Sequence, residues 1–178
     1  MEVCRLLAEA GKTDAQIYVM MGELSNQAAV QRTADIHDVM ASGNCGVTLN
    51  IIDEQTANWS RDEAQNLMTN WLSTGTAFDG VIANNDEMAI GAISAIEAAG
   101  KVPGKDILIV SIDGEKDGLQ AVIDGKIGVT VECNPKFGPA AYAAAMSYAK
   151  GDAIPAKMVN TDRVFDITNA AASIADSY

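Results

Sequence analysis

The chain of 178 residues is long enough to bury one complete hydrophobic core, and with 48% hydrophobic and 20% charged residues it has the composition of a folded domain. The formal net charge of -12 disfavours nucleic acid and anionic membranes as partners, because binding to phosphate needs clustered Lys and Arg and the 12 present are scattered. Neutral molecules or proteins are the expected partners.

Apolar, β-rich runs alternate along the chain with segments of helical period, which is typical of a parallel sheet flanked by helices. In chain order we predict helix 2–10, strand 16–21, helix 27–41, strand 46–52, helix 61–73, strand 80–83, helix 87–99, strand 107–112, helix 116–124, strand 128–131 and helix 139–149. Each connection between strands is long enough to carry a helix and return the chain parallel. The expected fold class is α/β, a three-layer sandwich.

The pattern changes after Gly151 and Asp152, where a loop containing proline leads to an extended segment and a short helix. This segment does not complete another strand–helix unit. We therefore expect residues 1–157 to form an α/β lobe and residues 158–178 a terminal segment with a short helix.

The amino-terminal residues have the pattern of an amphipathic helix rather than of a signal peptide, and no apolar run approaches the roughly 20 residues that span a bilayer. The three cysteines, Cys4, Cys45 and Cys133, include no C-x-x-C pair and leave one over. Their spacing indicates neither a disulfide framework nor a thiolate zinc site.

Polar or aromatic residues follow each predicted strand of the sheet. Arg32, Trp59, Asn85, Asp113 and Cys133 come after the first to fifth strands, respectively. Ligands of open parallel α/β sheets bind outside the carboxyl ends of the strands. We therefore expect a guanidinium, an aromatic ring, an amide and a carboxylate to converge on one edge of the sheet.

This mixture of side chains suits a neutral, polyhydroxylated ligand. Asp113 can accept two hydroxyl protons, Arg32 can donate to two oxygens, and Trp59 can stack on the apolar face of a ring. Asn85 is expected to cap the following helix as well as to offer its amide to the ligand. Each residue also has a purely structural interpretation: a cap for Asp113, a solvated helix face for Arg32 and the core for Trp59.

Three other functions are disfavoured by the motifs. GELSNQ after the first strand lacks the glycine spacing that brings backbone amides against phosphate. The single histidine, His37, has no GxSxG elbow to complete a hydrolase triad. DGEKDGLQAVID imitates a calcium loop from Asp113, but its twelfth residue is Asp124 rather than a bidentate Glu. No catalytic residue, cofactor or metal is expected.

The segments VIANNDEMAIGAISAIEAAGK, DILIVSIDGEKDGLQAVIDGKIGVTVECNPKFGPAA and TANWSRDEAQNLMTNWL closely resemble the type I periplasmic sugar-binding proteins of bacterial ABC importers. The resemblance covers essentially the whole chain and implies a two-lobed receptor that closes at a hinge around a monosaccharide or cyclic polyol. The family's sugar-contacting positions fall on Arg32, Trp59, Asn85 and Asp113. Cys133 departs from the Gln or Asn of many relatives, so a hydrogen bond from that position is a weak expectation.

The resemblance also implies what surrounds this chain. The family is roughly twice as long, so the sequence corresponds to a carboxy-terminal lobe, preceded by an amino-terminal lobe with an export signal. The implied location is the periplasm, and the implied partner is an ABC permease. The tail around Val159 to Asn169 resembles the final hinge crossing, which is normally finished against the other lobe, so the tail near Phe165 is expected to be left uncovered. Two other functions are compatible with the same resemblance. The first is the sugar-sensing effector domain of a LacI-type transcription regulator, which an upstream helix-turn-helix would reveal. The second is the ectodomain of a sensor kinase.

Overall fold

The computed structural model describes residues 1–178, which form seven α-helices and six strands. The elements are α1 Glu2–Glu9, β1 Asp14–Met21, α2 Gln27–Ser42, β2 Thr48–Thr56, α3 Arg61–Ser73, β3 Gly80–Ala83, α4 Asp86–Ala98, β4 Leu108–Asp113, α5 Lys116–Ile123, β5 Val129–Glu132, α6 Gly138–Ala149, β6 Val164–Asp166 and α7 Ala170–Ser173, followed by a 3-10 helix Ile174–Asp176. None of these helices combines the length and the apolar character needed to cross a lipid bilayer.

The strands form one sheet in the order β2-β1-β3-β4-β5-β6. The first five strands are parallel, and β6 pairs antiparallel with β5. The order reverses between β1 and β3, because the chain first builds outward from β1 to β2 and then returns to the other side of β1. A crevice at such a switch point is where ligands bind in open α/β sheets.

Two apolar clusters cover the two faces of the sheet. The larger contains 23 buried residues, including Met68 of α3, Met88 of α4 and Leu119 of α5. The smaller contains 11 and joins Leu7 of α1 to Val19 of β1. Helices therefore pack on both faces, and the predicted α/β class and three-layer architecture are confirmed.

Strand β2 is longer than the sequence indicates. Its predicted range ended at Ile52, whereas the strand continues to Thr56 through the polar residues Asp53, Glu54 and Gln55. It lies at the edge of the sheet and pairs only with β1. An edge strand has one open side, so it does not need the continuous apolar run that identifies a central parallel strand.

The tail contradicts the expectation for Phe165. Strand β6 completes the sheet beside β5, and Phe165 is only 1% exposed within the larger core. The uncovered apolar surface lies instead on α6, none of whose residues is buried. Tyr142 and Tyr148 of this helix are 70% and 73% exposed.

A disulfide joins Cys4 to Cys45, so the inference from cysteine spacing was wrong. Cys4 lies in α1 and Cys45 in the turn before β2, and their Cα atoms are 5.1 Å apart despite a sequence separation of 41. The two cysteines meet because α1 and α2 pack on the same face of the sheet, which spacing rules do not register. Cys133 is a free, exposed thiol.

Replacing Cys4 and Cys45 together by Ser should lower the free energy of unfolding by about 4 kcal/mol, because the disulfide removes loop-closure entropy from the unfolded chain. Urea denaturation should give the same free energy of unfolding for the double variant and for the reduced wild type. Cys133→Ser is the matched control and should leave the midpoint unchanged. A double variant as stable as the oxidised wild type would contradict the assignment.

Candidate functional site

Arg32 connects helix α2 with the ends of strands β3 and β4. From the second turn of α2, its Nη1 donates to the backbone oxygen of Asn84, immediately after β3. Its Nη2 donates to Oδ1 of Asp113, at the end of β4, over 2.8 Å. The two side chains of this ion pair are only 15% and 18% exposed. Partial burial strengthens such a charge-assisted contact because solvent screens it less.

Trp59 lies beside this ion pair. The guanidinium carbon of Arg32 is 5.5 Å from the centroid of the indole, within cation–π distance. A Cβ at position 22 would lie 2.1 Å from Cζ2 of Trp59, so Gly22 leaves the space that the ring occupies. Trp59 and Asn58 both have positive φ angles, 63° and 50°, which are uncommon for residues other than glycine.

Asn85 caps helix α4, which is the structural one of its two expected roles. Its Oδ1 accepts a hydrogen bond from the backbone nitrogen of Met88 over 3.0 Å and so caps α4. The residue is 6% exposed, and it follows Asn84 at the end of β3. Its contribution to ligand binding stays a prediction. The neighbouring Asn84 has a buried side-chain oxygen without a hydrogen-bond partner.

Asp113 has an unusual backbone conformation, with φ at 126°. Residues other than glycine reach such angles at a cost of about 1–3 kcal/mol, which the surrounding contacts must offset. Its backbone oxygen accepts from the nitrogen of Cys133 and from Oη of Tyr178, over 2.8 and 2.7 Å. Burial raises the pKa of the Asp113 carboxyl, and the nearby Arg32 opposes that rise.

The structure therefore brings four of the five predicted residues to one region. Arg32 contacts both Trp59 and Asp113, and Asn85 directly follows the residue whose backbone oxygen Arg32 binds. Cys133 differs, because its thiol is exposed and its link to Asp113 runs through the backbone.

Sequence reasoning missed two residues next to the site. Tyr178 shares its hydroxyl between the backbone oxygens of Asp113 and Cys133, and so ties the carboxyl ends of β4 and β5 together. Asp86 is completely buried behind the same loop. Nothing in the sequence marks Tyr178, and Asp86 resembles an ordinary acidic residue in the first turn of a helix.

Carboxylates crowd the loop that follows Asp113. Burial, followed by the charges of Asp113, Asp86, Glu87 and Asp117, raises the pKa of Glu115 from its ordinary 4.5 to about 7. Arg61 offsets part of this charge by pairing with Glu87 and Asp117. At neutral pH, Glu115 is therefore partly protonated.

Glu115→Gln should make the protein more stable at pH 8 and leave its stability unchanged at pH 4. A raised pKa in the folded state means that Glu115 contributes stability below pH 4.5, and that this contribution is lost as the pH rises through about 7. Glutamine cannot ionise, and Glu115 makes no side-chain capping bond that the change would remove. Denaturation midpoints between pH 4 and 8 measure the effect.

Asp152→Asn is the control for this experiment, because Asp152 is an exposed carboxylate outside the cluster. Its stability should follow that of the wild type over the whole pH range. A Glu115→Gln variant with the same pH dependence as the wild type would contradict the burial of Glu115 among carboxylates.

Comparison with known proteins identifies the family of the chain. Residues 2–153 match the family model described as periplasmic binding protein domain. A putative rhizopine-binding protein from Rhizobium meliloti is 48% identical over 158 residues, which are 88% of this chain and 49% of that protein. The chain thus spans about half the length of that curated relative.

Two solved structures resemble the fold closely. The periplasmic binding protein component of the arabinose ABC transporter from Shewanella sp. ANA-3, bound to α- and β-L-arabinofuranose, has a TM-score of 0.86 and 34% identity, over 98% of this chain and 58% of that one. An ABC transporter solute binding protein from Bacillus halodurans with bound myo-inositol has a TM-score of 0.83 and 34% identity, over 98% and 57%.

The family match covers far more than half of the chain, and the fold agrees with relatives that carry bound sugars or inositol. This chain belongs to the periplasmic binding protein domain family.

Proposed function

We propose that the chain is the carboxy-terminal lobe of the solute-binding component of a bacterial ABC importer, and that it binds a monosaccharide or cyclic polyol between two lobes. The observation that carries this proposal is the partly buried Arg32–Asp113 pair beside Trp59 at the switch point of the sheet. The pair offers donors and acceptors to vicinal hydroxyls, and the indole offers an apolar face to the ring.

The surroundings of the site support binding without catalysis. Arg32 and Asp113 neutralise each other, and the single histidine, His37, pairs with Glu54 rather than with either of them. A neutral polyol can bridge them and recover the hydrogen bonds that the pair gives up. We therefore infer a receptor without catalytic residues or cofactors.

The proposed location is the periplasm, after export by a signal in the amino-terminal lobe. The disulfide between Cys4 and Cys45 favours an oxidising compartment over the cytoplasm. An ABC permease in the membrane is the proposed partner. Within the chain, residues 1–157 would carry the ligand site and residues 158–178 the terminal segment beside the hinge.

Arg32→Ala and Asp113→Ala should each weaken sugar binding by roughly 2–4 kcal/mol, since each variant removes charge-assisted hydrogen bonds and leaves its former partner partly buried without a counter-charge. The measurement is titration calorimetry of a receptor containing both lobes, with D-ribose, L-arabinose, D-galactose, xylitol and myo-inositol. Lys105→Ala, an exposed change away from the site, should bind as the wild type does. Unchanged affinity in both site variants would overturn the site assignment.

The 178-residue chain alone should bind the same ligands with millimolar or weaker affinity, against micromolar or tighter for the two-lobed receptor. One lobe encloses only one side of a bound sugar, so water competes for the sugar hydroxyls that Arg32, Asn85 and Asp113 would bind, and these hydrogen bonds contribute little beyond exchange with solvent. The difference corresponds to about 4 kcal/mol or more. Micromolar binding by a demonstrated monomer of this chain would contradict the two-sided cleft.

A further inference from the structure

The carboxylate of Asp86 lies at the centre of a buried polar cluster behind the candidate site. Asp86 is the first residue of α4 and is fully buried. Its Oδ1 accepts from the hydroxyls of Ser111, in β4, and Thr130, in β5. Its Oδ2 accepts from the backbone nitrogen of Glu115 over 2.8 Å. One side chain thus connects the ends of two strands with the start of α5.

The same cluster holds the backbone directly after Asp113. The hydroxyl of Thr130 donates to Asp86 over 2.7 Å and accepts from the backbone nitrogen of Gly114 over 3.2 Å. Together with the bond from Glu115, this secures two consecutive amides that follow Asp113. These amides stabilise a turn in which Asp113 and Gly114 both have positive φ angles, 126° and 74°.

The chain is built closely around this carboxylate. A Cβ at position 118 would lie 2.2 Å from Oδ2 of Asp86, so only glycine lets α5 approach the cluster. An acidic residue in the first turn of a helix normally gains from the helix dipole while remaining solvated. Asp86 is instead desolvated, and burial raises the pKa of its carboxyl to about 6. Its three hydrogen bonds oppose that rise, so their donors are needed to keep the charged form buried.

We propose that Asp86 and Thr130 are positioning residues that hold the Asp113 turn in its strained, sugar-binding conformation before the ligand arrives. The inference rests on the proposed function for the role of Asp113. The buried carboxylate fixes the Thr130 hydroxyl and the Glu115 amide, these fix the turn, and the turn directs the Asp113 carboxylate toward Arg32. The Asp113 carboxylate is therefore already in position when a ligand binds, and the free energy of binding is not reduced by the cost of ordering it.

The first test needs no ligand and uses amide hydrogen exchange of the 178-residue chain, followed by NMR. Thr130→Val keeps the shape of the side chain but removes the hydroxyl. It should speed exchange at the Gly114 and Glu115 amides at least tenfold and leave Val110, within β4, unchanged. Thr130→Ser restores the hydroxyl and should restore protection. Full protection of both amides in a folded Thr130→Val variant would overturn the proposal.

Two further variants separate this role from general loss of stability. Ser111→Ala removes a donor to Asp86 that does not contact the 113–115 turn, so Gly114 should stay protected even if the melting temperature falls. Ser94→Ala removes a hydroxyl that bonds only to Ile90 of the same helix, and it should change neither amide. If Thr130→Val does not fold, Asp86→Asn tests the same turn through the Glu115 amide. Loss of Gly114 protection in Ser111→Ala to the same extent as in Thr130→Val would contradict the proposal.

The second test measures affinity for L-arabinose and myo-inositol by NMR titration of the same chain. Binding of the better probe should weaken at least tenfold in Thr130→Val and recover in Thr130→Ser. If the Gly114 and Glu115 amides exchange rapidly in Thr130→Val but its affinity for the probe is unchanged, the positioning role is overturned. If the wild-type two-lobed receptor binds none of the sugars and polyols, the proposed function fails, and hydrogen exchange alone then decides whether Asp86 and Thr130 hold the turn.

Discussion

The candidate site depends on the ion pair between Arg32 and Asp113, two residues that are 81 positions apart in the chain. Each charge would be costly to place at the edge of the core alone, and their mutual compensation allows both to remain mostly shielded from water. The pair also lies beside the crevice where the strand order reverses, because the guanidinium of Arg32 binds the backbone at the end of β3 as well. Under the proposed function, a ligand that inserts hydroxyls here would exchange one set of polar contacts for another, which would favour neutral, hydroxyl-rich molecules over charged ones.

Backbone strain is concentrated around that pair. The three residues other than glycine with positive φ are Asn58, Trp59 and Asp113, and all lie at or just beyond the carboxyl ends of strands. Regular strand and helix geometry elsewhere supplies the stability that tolerates these conformations. The compensation is visible as hydrogen bonds: the backbone oxygen of Asp113 accepts from Tyr178 and from the nitrogen of Cys133, and the next amide, Gly114, donates to Thr130. The residues behind the candidate site therefore hold its backbone as much as the residues that face the crevice do.

One helix does not share in the common core. Helix α6 has no buried residue, and Phe137, Tyr142 and Tyr148 expose large apolar surfaces on it and just before it. The tail beyond it returns to the sheet and buries Phe165. This uncovered surface is consistent with a chain that spans about half the length of a curated relative. The site residues, by contrast, are carried by elements that pack fully on the sheet.

Sequence patterns alone determined the alternation of strands and helices, the class of the fold, the Asn85 cap and the set of residues at the strand ends. They could do so because periodicity and capping are local properties of the chain. The tertiary structure decided the rest: the pairing of Cys4 with Cys45, the continuation of β2 along an open edge, and the burial of Phe165 and Asp86. Each of these depends on which distant segments become neighbours when the sheet assembles. Asp86 has the same sequence context whether it is solvated or buried, and only the approach of β4, β5 and α5 decides between the two.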